Sequence, residues 1–370
     1  MKSISIFGST GTVGVKALNV AKQKKMQIHT LVAKSNYKLL IDQAISVHPK
    51  YVCVADNYAF NIVQEALAGT EITVLPGPEI NNLARESVDI FFMSISGSKA
   101  LEPTFYCLGK AKRLAIASKE AILLGGELLI DKARKLKTEI IPVDSEHNAI
   151  FRCLLGESKD AIQDITLTAS GGSFIDFEEC DLEKITPEMA LKHPNWNMGA
   201  KITIDSSTLI NKALEIIEAS YLFGFDSKCI KALIHQESII HGIATYKDNS
   251  SKMIAYEPDM IVPISHAITY PDFNTNSLKQ ICFQDIKRLT FRSPKAWQKR
   301  NIELAYQAIS EHKVIAFNIA NEIAVHKFLH NEIKFNEIYY FILNILDRSK
   351  TEKCTSIEDI KNTIGFCTLI

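Results

Sequence analysis

A chain of 370 residues, 46% of them hydrophobic, can bury more than one core, because single cores stop growing at roughly 250–300 residues. Its 42 basic and 42 acidic residues cancel, so no basic field recruits nucleic acid or an anionic membrane, and any phosphate must be held by a local set of donors. No uninterrupted apolar run approaches the ~20 residues of a membrane span and MKSISIFGST lacks a signal-peptide apolar region, so the expected compartment is the cytoplasm.

Over residues 1–144 short apolar runs alternate with amphipathic stretches: SISIF, IHTLVA, YVCVA, ITVLP, VDIFFMSI, RLAIAS and EIIPVD read as strands. That rhythm predicts an α/β fold opening with a Rossmann-like, doubly wound parallel sheet. Residues 145–269 read as a central α+β catalytic domain, with DITLTASGG, KITIDSSTL, CIKALIH and SIIHGIATY as strands around a helix from Thr208 to Tyr221. A stretch containing Pro258, Pro263, Pro271 and Pro294 follows, and residues 270–295 read as a linker. Apolar residues at helical spacing then predict a C-terminal helical domain over 296–370. Eight scattered cysteines without C-x-x-C spacing read as reduced thiols.

The run Gly8-Ser9-Thr10-Gly11-Thr12-Val13-Gly14 follows the first strand and opens a helical stretch, the context of a dinucleotide-binding turn. Gly8 would make the turn, Gly11 would let backbone approach pyrophosphate, and Gly14 would let the helix pack closely. An NAD site usually has an acidic residue after the second strand to bind the ribose 2′-hydroxyl. Here Lys34, Ser35 and Asn36 stand there; a cation and two small polar groups suit a 2′-phosphate, so the expected cofactor is NADPH.

In EIIPVDSEHNAIF, Asp144 and Glu146 are two residues apart, which would send both carboxylates to one face of an extended chain. Converging oxygen ligands suit Mg²⁺ or Mn²⁺. Further on, Ser206 and Ser207 occupy an expected helix N-cap, and Asn211, Lys212 and Glu215 share a polar helix face that is either solvent or a site. Ser170-Gly171-Gly172-Ser173 ends a strand with small side chains and free N–H groups, a candidate anion nest. With Ser206, Asn211 and Lys212 it makes a plausible phosphate socket. His193, Trp196 and Met198 lie on a Pro- and Gly-containing loop near residues 192–200; Trp196 and Met198 are read as part of a lid that closes over substrate, and His193 as either a phosphate donor or a capped surface histidine.

Together these runs resemble the 1-deoxy-D-xylulose 5-phosphate reductoisomerase family: GSTGTVG at Gly8, ASKEAILLGG at Ala117, PVDSEHNAIFRCL at Pro142, LTASGGSF at Leu167, HPNWNMGAKITIDSSTLINKALE at His193, LIHQESIIHG at Leu233 and YEPDMIVPISHA at Tyr256. The resemblance implies NADPH- and metal-dependent isomerisation and reduction of 1-deoxy-D-xylulose 5-phosphate to 2-C-methyl-D-erythritol 4-phosphate, in isoprenoid biosynthesis, by a homodimer. It implies a metal on Asp144, Glu146 and Glu215, a phosphate on Ser170, His193, Ser206, Asn211 and Lys212, and substrate oxygens on Lys119 and Ser145. It also implies a cofactor lined by Thr10 to Val13, Lys34 to Asn36, Ser118, Glu120 and Gly199. The chain departs from the family where Ser118 replaces an Asn and where His235-Gln236-Glu237-Ser238 replaces H-P-Q-S. A simple NADP-dependent sugar-phosphate dehydrogenase is the alternative.

Overall fold

Strand β1 (Ser3–Phe7) alternates serine and isoleucine in sequence, yet Ile4, Ser5, Ile6 and Phe7 all have no exposed surface, as expected of a strand covered on both faces. In the computed structural model, which describes residues 1–192, 199–272, 279–351 and 353–369, β1 is followed by α1 (Thr12–Gln23), β2 (Gln27–Ala33), α2 (Tyr37–Val47), β3 (Tyr51–Val54), α3 (Asn57–Ala66) and β4 (Thr73–Pro76). The chain continues through α4 (Ile80–Leu83), β5 (Ile90–Met93), α5 (Leu101–Cys107), β6 (Arg113–Ile116), α6 (Lys119–Lys135), β7 (Glu139–Pro142) and α7 (Ser145–Cys153). The seven strands pair in the order β4-β3-β2-β1-β5-β6-β7, every pair parallel. The order reverses between β1 and β5, and the mouth at such a switch point is where open α/β sheets bind ligands.

The second sheet has the order β11-β10-β8-β9, built from β8 (Ile162–Ala169), β9 (Ile230–Ile234), β10 (Ile240–Tyr246) and β11 (Ser251–Ala255). Between β8 and β9 run α8 (Pro187–Ala190), α9 (Ala200–Thr208) and α10 (Ile210–Phe223). Helix α11 (Ile261–Thr269) follows and packs on α1, β6 and β7 of the first sheet. Four more helices, α12 (Ala296–Ser310), α13 (Val314–Leu329), α14 (Glu337–Arg348) and α15 (Ile357–Leu369), complete the chain. Trp297, Phe317 and Phe328 of the late helices share one core with Ile165 and Leu167 of β8 and with Ile216 and Ile217 of α10. The described residues fall into two units: residues 1–122, 129–148 and 259–272, and a second one of 123–128, 149–258 and those from 279 on. Among the described residues no helix is long and apolar enough to cross a membrane.

All seven strands expected in the first sheet form. KITIDSSTL, expected as a strand, is instead helix α9. Its isoleucines alternate, but its buried residues Thr203, Ile204, Ser207 and Thr208 recur at helical spacing, and the hydroxyls of Ser207 and Thr208 bond the Ile204 carbonyl. Burial outweighs β-propensity here. The helix expected from Thr208 starts at Ile210, because Leu209 turns into the left-handed region at φ 61° and splits α9 from α10. Strand β11 and helix α11 had no counterpart in the sequence reading; Pro263 falls in the first turn of α11, where a missing N–H costs nothing.

The late helices reach the α9–α10 corner through buried amides. Gln298 Nε2 donates to the Gly171 carbonyl at 3.3 Å, Asn301 Nδ2 to the Thr208 carbonyl at 2.8 Å, and Asn321 Nδ2 to Asp205 Oδ1 at 2.9 Å. Asp205 is 1% exposed and is also paired with Lys201 at 2.8 Å. Replacing Asn321 by Leu removes a hydrogen bond from a buried carboxylate. We expect a loss of about 1–3 kcal/mol in urea unfolding, with the α-helical circular dichroism of the folded state unchanged.

Candidate functional site

The glycine run sits at the carboxyl end of β1, beside the switch point. Gly8 adopts φ 92°, and a Cβ there would lie 2.5 Å from the Ser94 carbonyl oxygen; one on Gly14 would lie 2.1 Å from the Gly8 oxygen. Both positions therefore exclude any side chain. A Cβ at Gly11 would meet only the Gly8 oxygen, at 3.5 Å, so the protein itself leaves room there. Gly11 is the N-cap of α1 and no side chain caps it, which leaves the first N–H groups of Thr12, Val13 and Gly14 for an anion. Thr10 is half-buried and Thr12 exposed at the same turn. Lys34, Ser35 and Asn36 are exposed at the end of β2, and the Asn36 side chain caps α2 by accepting from the Leu39 N–H. Gln43 of α2, 7% exposed, donates to the Ser9 carbonyl at 2.8 Å, tying this helix to the glycine turn.

Across the same sheet, α6 begins after Ser118 and brings Lys119 and Glu120 to the end of β6. The Ser118 hydroxyl, 3% exposed, donates to the Ile95 carbonyl at 2.5 Å, so the residue that departs from the family's Asn braces the loop after β5. Lys119 Nζ lies 3.0 Å from Asp144 Oδ2, and Nδ1 of the fully buried His147 lies 3.8 Å from the same oxygen. Burial pushes the Asp144 carboxyl up, but the Lys119 charge and the His147 contact outweigh it and hold the group well below the usual carboxylate range. The Ser145 hydroxyl donates to Glu146 Oε2 at 2.5 Å.

Asp144 and Glu146 do not lie on an extended strand as expected. Strand β7 ends at Pro142, Asp144 stands in the turn, and Glu146 is in the first turn of α7. Acidic residues there are favoured by the helix dipole, and the turn rather than strand alternation presents them.

In the second unit, Lys212 and Glu215 of α10 are 2% and 0% exposed. The polar face of α10 is therefore not solvated at these residues. Lys212 Nζ donates to Glu215 Oε2 and, at 2.5 Å, to the Thr168 carbonyl of β8; Asn211 Nδ2 donates to Glu215 Oε1. Ser206 and Ser207, expected at a helix start, instead lie in the last turn of α9. Ser170, Gly171 and Gly172 end β8 close by: Gly171 and Gly172 have φ 90° and 70°, and a Cβ on Gly172 would lie 2.6 Å from Ser207 Cα and 2.7 Å from the Ser206 oxygen. The two glycines thus bring Ser170, Ser206, Asn211 and Lys212 to one corner. Gly199 is the exposed N-cap of α9; His193, Trp196 and Met198 lie outside the described residues.

Sequence reading overlooked His147 and the buried amides Gln298, Asn301 and Asn321. His147 stands three residues after Asp144, a spacing that brings side chains together at a helix start, whereas Asn321 is one of several polar residues of α13, with Asn318, Glu322, His326 and Lys327, and carries no local mark.

Sequence models of 1-deoxy-D-xylulose 5-phosphate reductoisomerase match residues 4–126, and models of its C-terminal domains match 140–223 and 256–364. The 1-deoxy-D-xylulose 5-phosphate reductoisomerase of Ruminiclostridium cellulolyticum is 40% identical over 363 residues, covering 97% of this chain and 95% of that protein. The one from Wolbachia pipientis is 38% identical over 97% of this chain and 94% of that protein. The solved structure of the Zymomonas mobilis enzyme in complex with NADPH superposes with a TM-score of 0.94 at 32% identity, covering 100% of this chain and 97% of that one. A structure with NADPH, fosmidomycin and magnesium gives 0.92 at 31% identity, covering 99% and 96%.

A carboxyl whose folded value is depressed contributes stability that is complete above its unfolded value, about 3.9, and is lost as pH falls through the folded one. Comparing urea unfolding of the protein and of Asp144→Asn should therefore show a stability gap at pH 7 that closes as the pH is taken below about 4. A gap independent of pH would contradict the ionised Asp144.

Proposed function

The chain belongs to the 1-deoxy-D-xylulose 5-phosphate reductoisomerase family, is an NADPH- and divalent-metal-dependent oxidoreductase that converts 1-deoxy-D-xylulose 5-phosphate to 2-C-methyl-D-erythritol 4-phosphate, and we propose how its residues share that work. The observation that carries the assignment is Glu215: a carboxylate with no exposed surface, kept between Lys212 and Asn211. Burying such a pair costs several kcal/mol in desolvation that packing alone does not require.

We assign the metal to Asp144, Glu146 and Glu215. The residues fit a hard divalent cation, since all three offer oxygen and the lysines beside Asp144 and Glu215 favour the ionised form such a cation binds. Bound there, magnesium or manganese would polarise the substrate carbonyl. Lys119 and Ser145 are assigned to the substrate's oxygens, and Ser170, His193, Ser206, Asn211 and Lys212 to its phosphate. Holding the phosphate fixes the reacting carbons, so binding energy far from the chemistry is used for orientation. Trp196 and Met198 are assigned to the loop that excludes water.

NADPH, which supplies the hydride, is assigned to the turn of Gly8, Thr10, Gly11, Thr12 and Val13, with Ser118, Glu120 and Gly199 lining it and Lys34, Ser35 and Asn36 at the 2′-phosphate. The uncapped start of α1 and the exposed cation at Lys34 support this choice. On this division residues 1–144 bind cofactor, 145–269 carry the metal and substrate chemistry, 270–295 link, and 296–370 form the helical domain. A cytoplasmic homodimer is the assembly we assign, on the family resemblance.

A plain NADP-dependent sugar-phosphate dehydrogenase would not need Glu215. In Glu215→Gln we expect kcat at saturating Mg²⁺ to fall by about tenfold to a hundredfold or more, while NADPH binding is kept; full activity would favour the dehydrogenase. In Lys34→Ala the KM for NADPH should rise about tenfold, the equivalent of one charged contact of about 1.4 kcal/mol, with kcat retained. Steady-state kinetics with varied NADPH reads both.

A further inference from the structure

One buried amide closes the turn that carries Asp144 and Glu146. Asn148 has no exposed surface. Its backbone N–H donates to the Asp144 carbonyl at 2.8 Å, and its side-chain Nδ2 donates at 2.8 Å to the carbonyl of Pro142, the last residue of β7. The end of the strand and the start of the helix are thereby held by one residue. A main-chain carbonyl can only accept a hydrogen bond, so the amide group facing Pro142 is the NH₂ and its orientation is decided.

The same Nδ2 lies 2.9 Å from Nδ1 of His266. Because the amide nitrogen donates, the ring nitrogen must accept, which places the proton of a neutral imidazole on Nε2. His266 is 5% exposed on α11, and that helix is itself fixed. Arg113 of β6 donates to the Ile268 carbonyl at 3.1 Å and lies over the Tyr270 ring at 5.4 Å. Tyr270 meets the His266 ring edge-on at 5.5 Å. A helix 118 residues further along the chain thus selects the rotamer of Asn148.

We propose that Asn148 and His266 are positioning residues for the metal carboxylates: His266 aims the Asn148 amide, and Asn148 holds the Pro142–Asn148 turn in the one shape that presents Asp144 and Glu146 together. This rests on the assignment of those two carboxylates to the metal. Groups that orient ligands in this way typically change metal affinity by 10- to 100-fold when removed.

The test is Mn²⁺ titration of the full-length protein followed by electron paramagnetic resonance, with NADPH affinity from fluorescence and thermal melting on the same samples. Asn148→Ala and His266→Leu should raise the Mn²⁺ Kd about 10- to 100-fold and leave the NADPH Kd within about twofold, since neither residue is assigned to the cofactor. His266→Asn, whose Oδ1 can accept the same hydrogen, should keep Mn²⁺ affinity within about threefold of the parent. Unchanged Mn²⁺ affinity in His266→Leu overturns the proposal, as does an equal loss in the Leu and Asn variants. Asp144→Asn is the control. If it too leaves Mn²⁺ binding intact, the metal assignment itself is wrong; if it alone weakens binding, only the positioning role is wrong. Should Asn148→Ala melt below the assay temperature, the His266 pair decides the matter.

Discussion

A carboxylate with no exposed surface has to be compensated where it stands, and Glu215 sets that demand on the second unit. Its two oxygens take hydrogen bonds from Asn211 and Lys212, and Lys212 in turn needs the Thr168 carbonyl at the end of β8. The helix therefore has to be seated against that strand, and the strand has to end in a turn tight enough to admit it. Gly171 and Gly172 make that turn with positive φ; a Cβ on Gly172 would run into the Ser206–Ser207 backbone, and one on Gly171 into the side chains of Ile175 and Ile234. The serines and lysine we assign to phosphate stand together because the buried charge requires the same neighbours.

A similar economy shapes the first unit. Asp144 remains ionised beside Lys119 and His147, and the turn that carries it is closed by Asn148. The turn we assign to the nucleotide relies on backbone rather than side chains, with Gly8 and Gly14 packed so closely on their surroundings that only hydrogen fits. Backbone N–H groups at a helix start cannot be lost by rotamer change, which suits a site that must hold phosphate in one place.

Much of this was legible in the residues. The seven parallel strands were visible because each is a short apolar run set between helical stretches, and the glycine turn because its spacing lies between a strand and a helix. The candidate residues Asp144, Glu146, Ser170, Ser206, Asn211, Lys212 and Glu215 were all selected from short motifs. Their settings were less legible. KITIDSSTL alternates like a strand, and only the burial of Thr203, Ile204, Ser207 and Thr208 makes it a helix. Leu209 carries no mark of a left-handed residue, since glycine or asparagine is the usual choice there. The amides of Gln298, Asn301 and Asn321 acquire meaning only beside carbonyls and a carboxylate about 90 to 130 positions away.

What the sequence by itself determined is chemistry with a short range: which side chains can ligate a cation, where glycine permits a phosphate to approach, and which runs alternate at the period of a strand or a helix. Those properties depend on residue type and on neighbours within a few positions. The tertiary structure alone decided whether the polar face of α10 was solvated or buried, which carbonyl Lys212 bonds, and which histidine orients Asn148. Each of these depends on dielectric and hydrogen-bond partners supplied by distant segments, and no local pattern encodes the burial that turns an ordinary i, i+3 lysine–glutamate pair into a compensated charge.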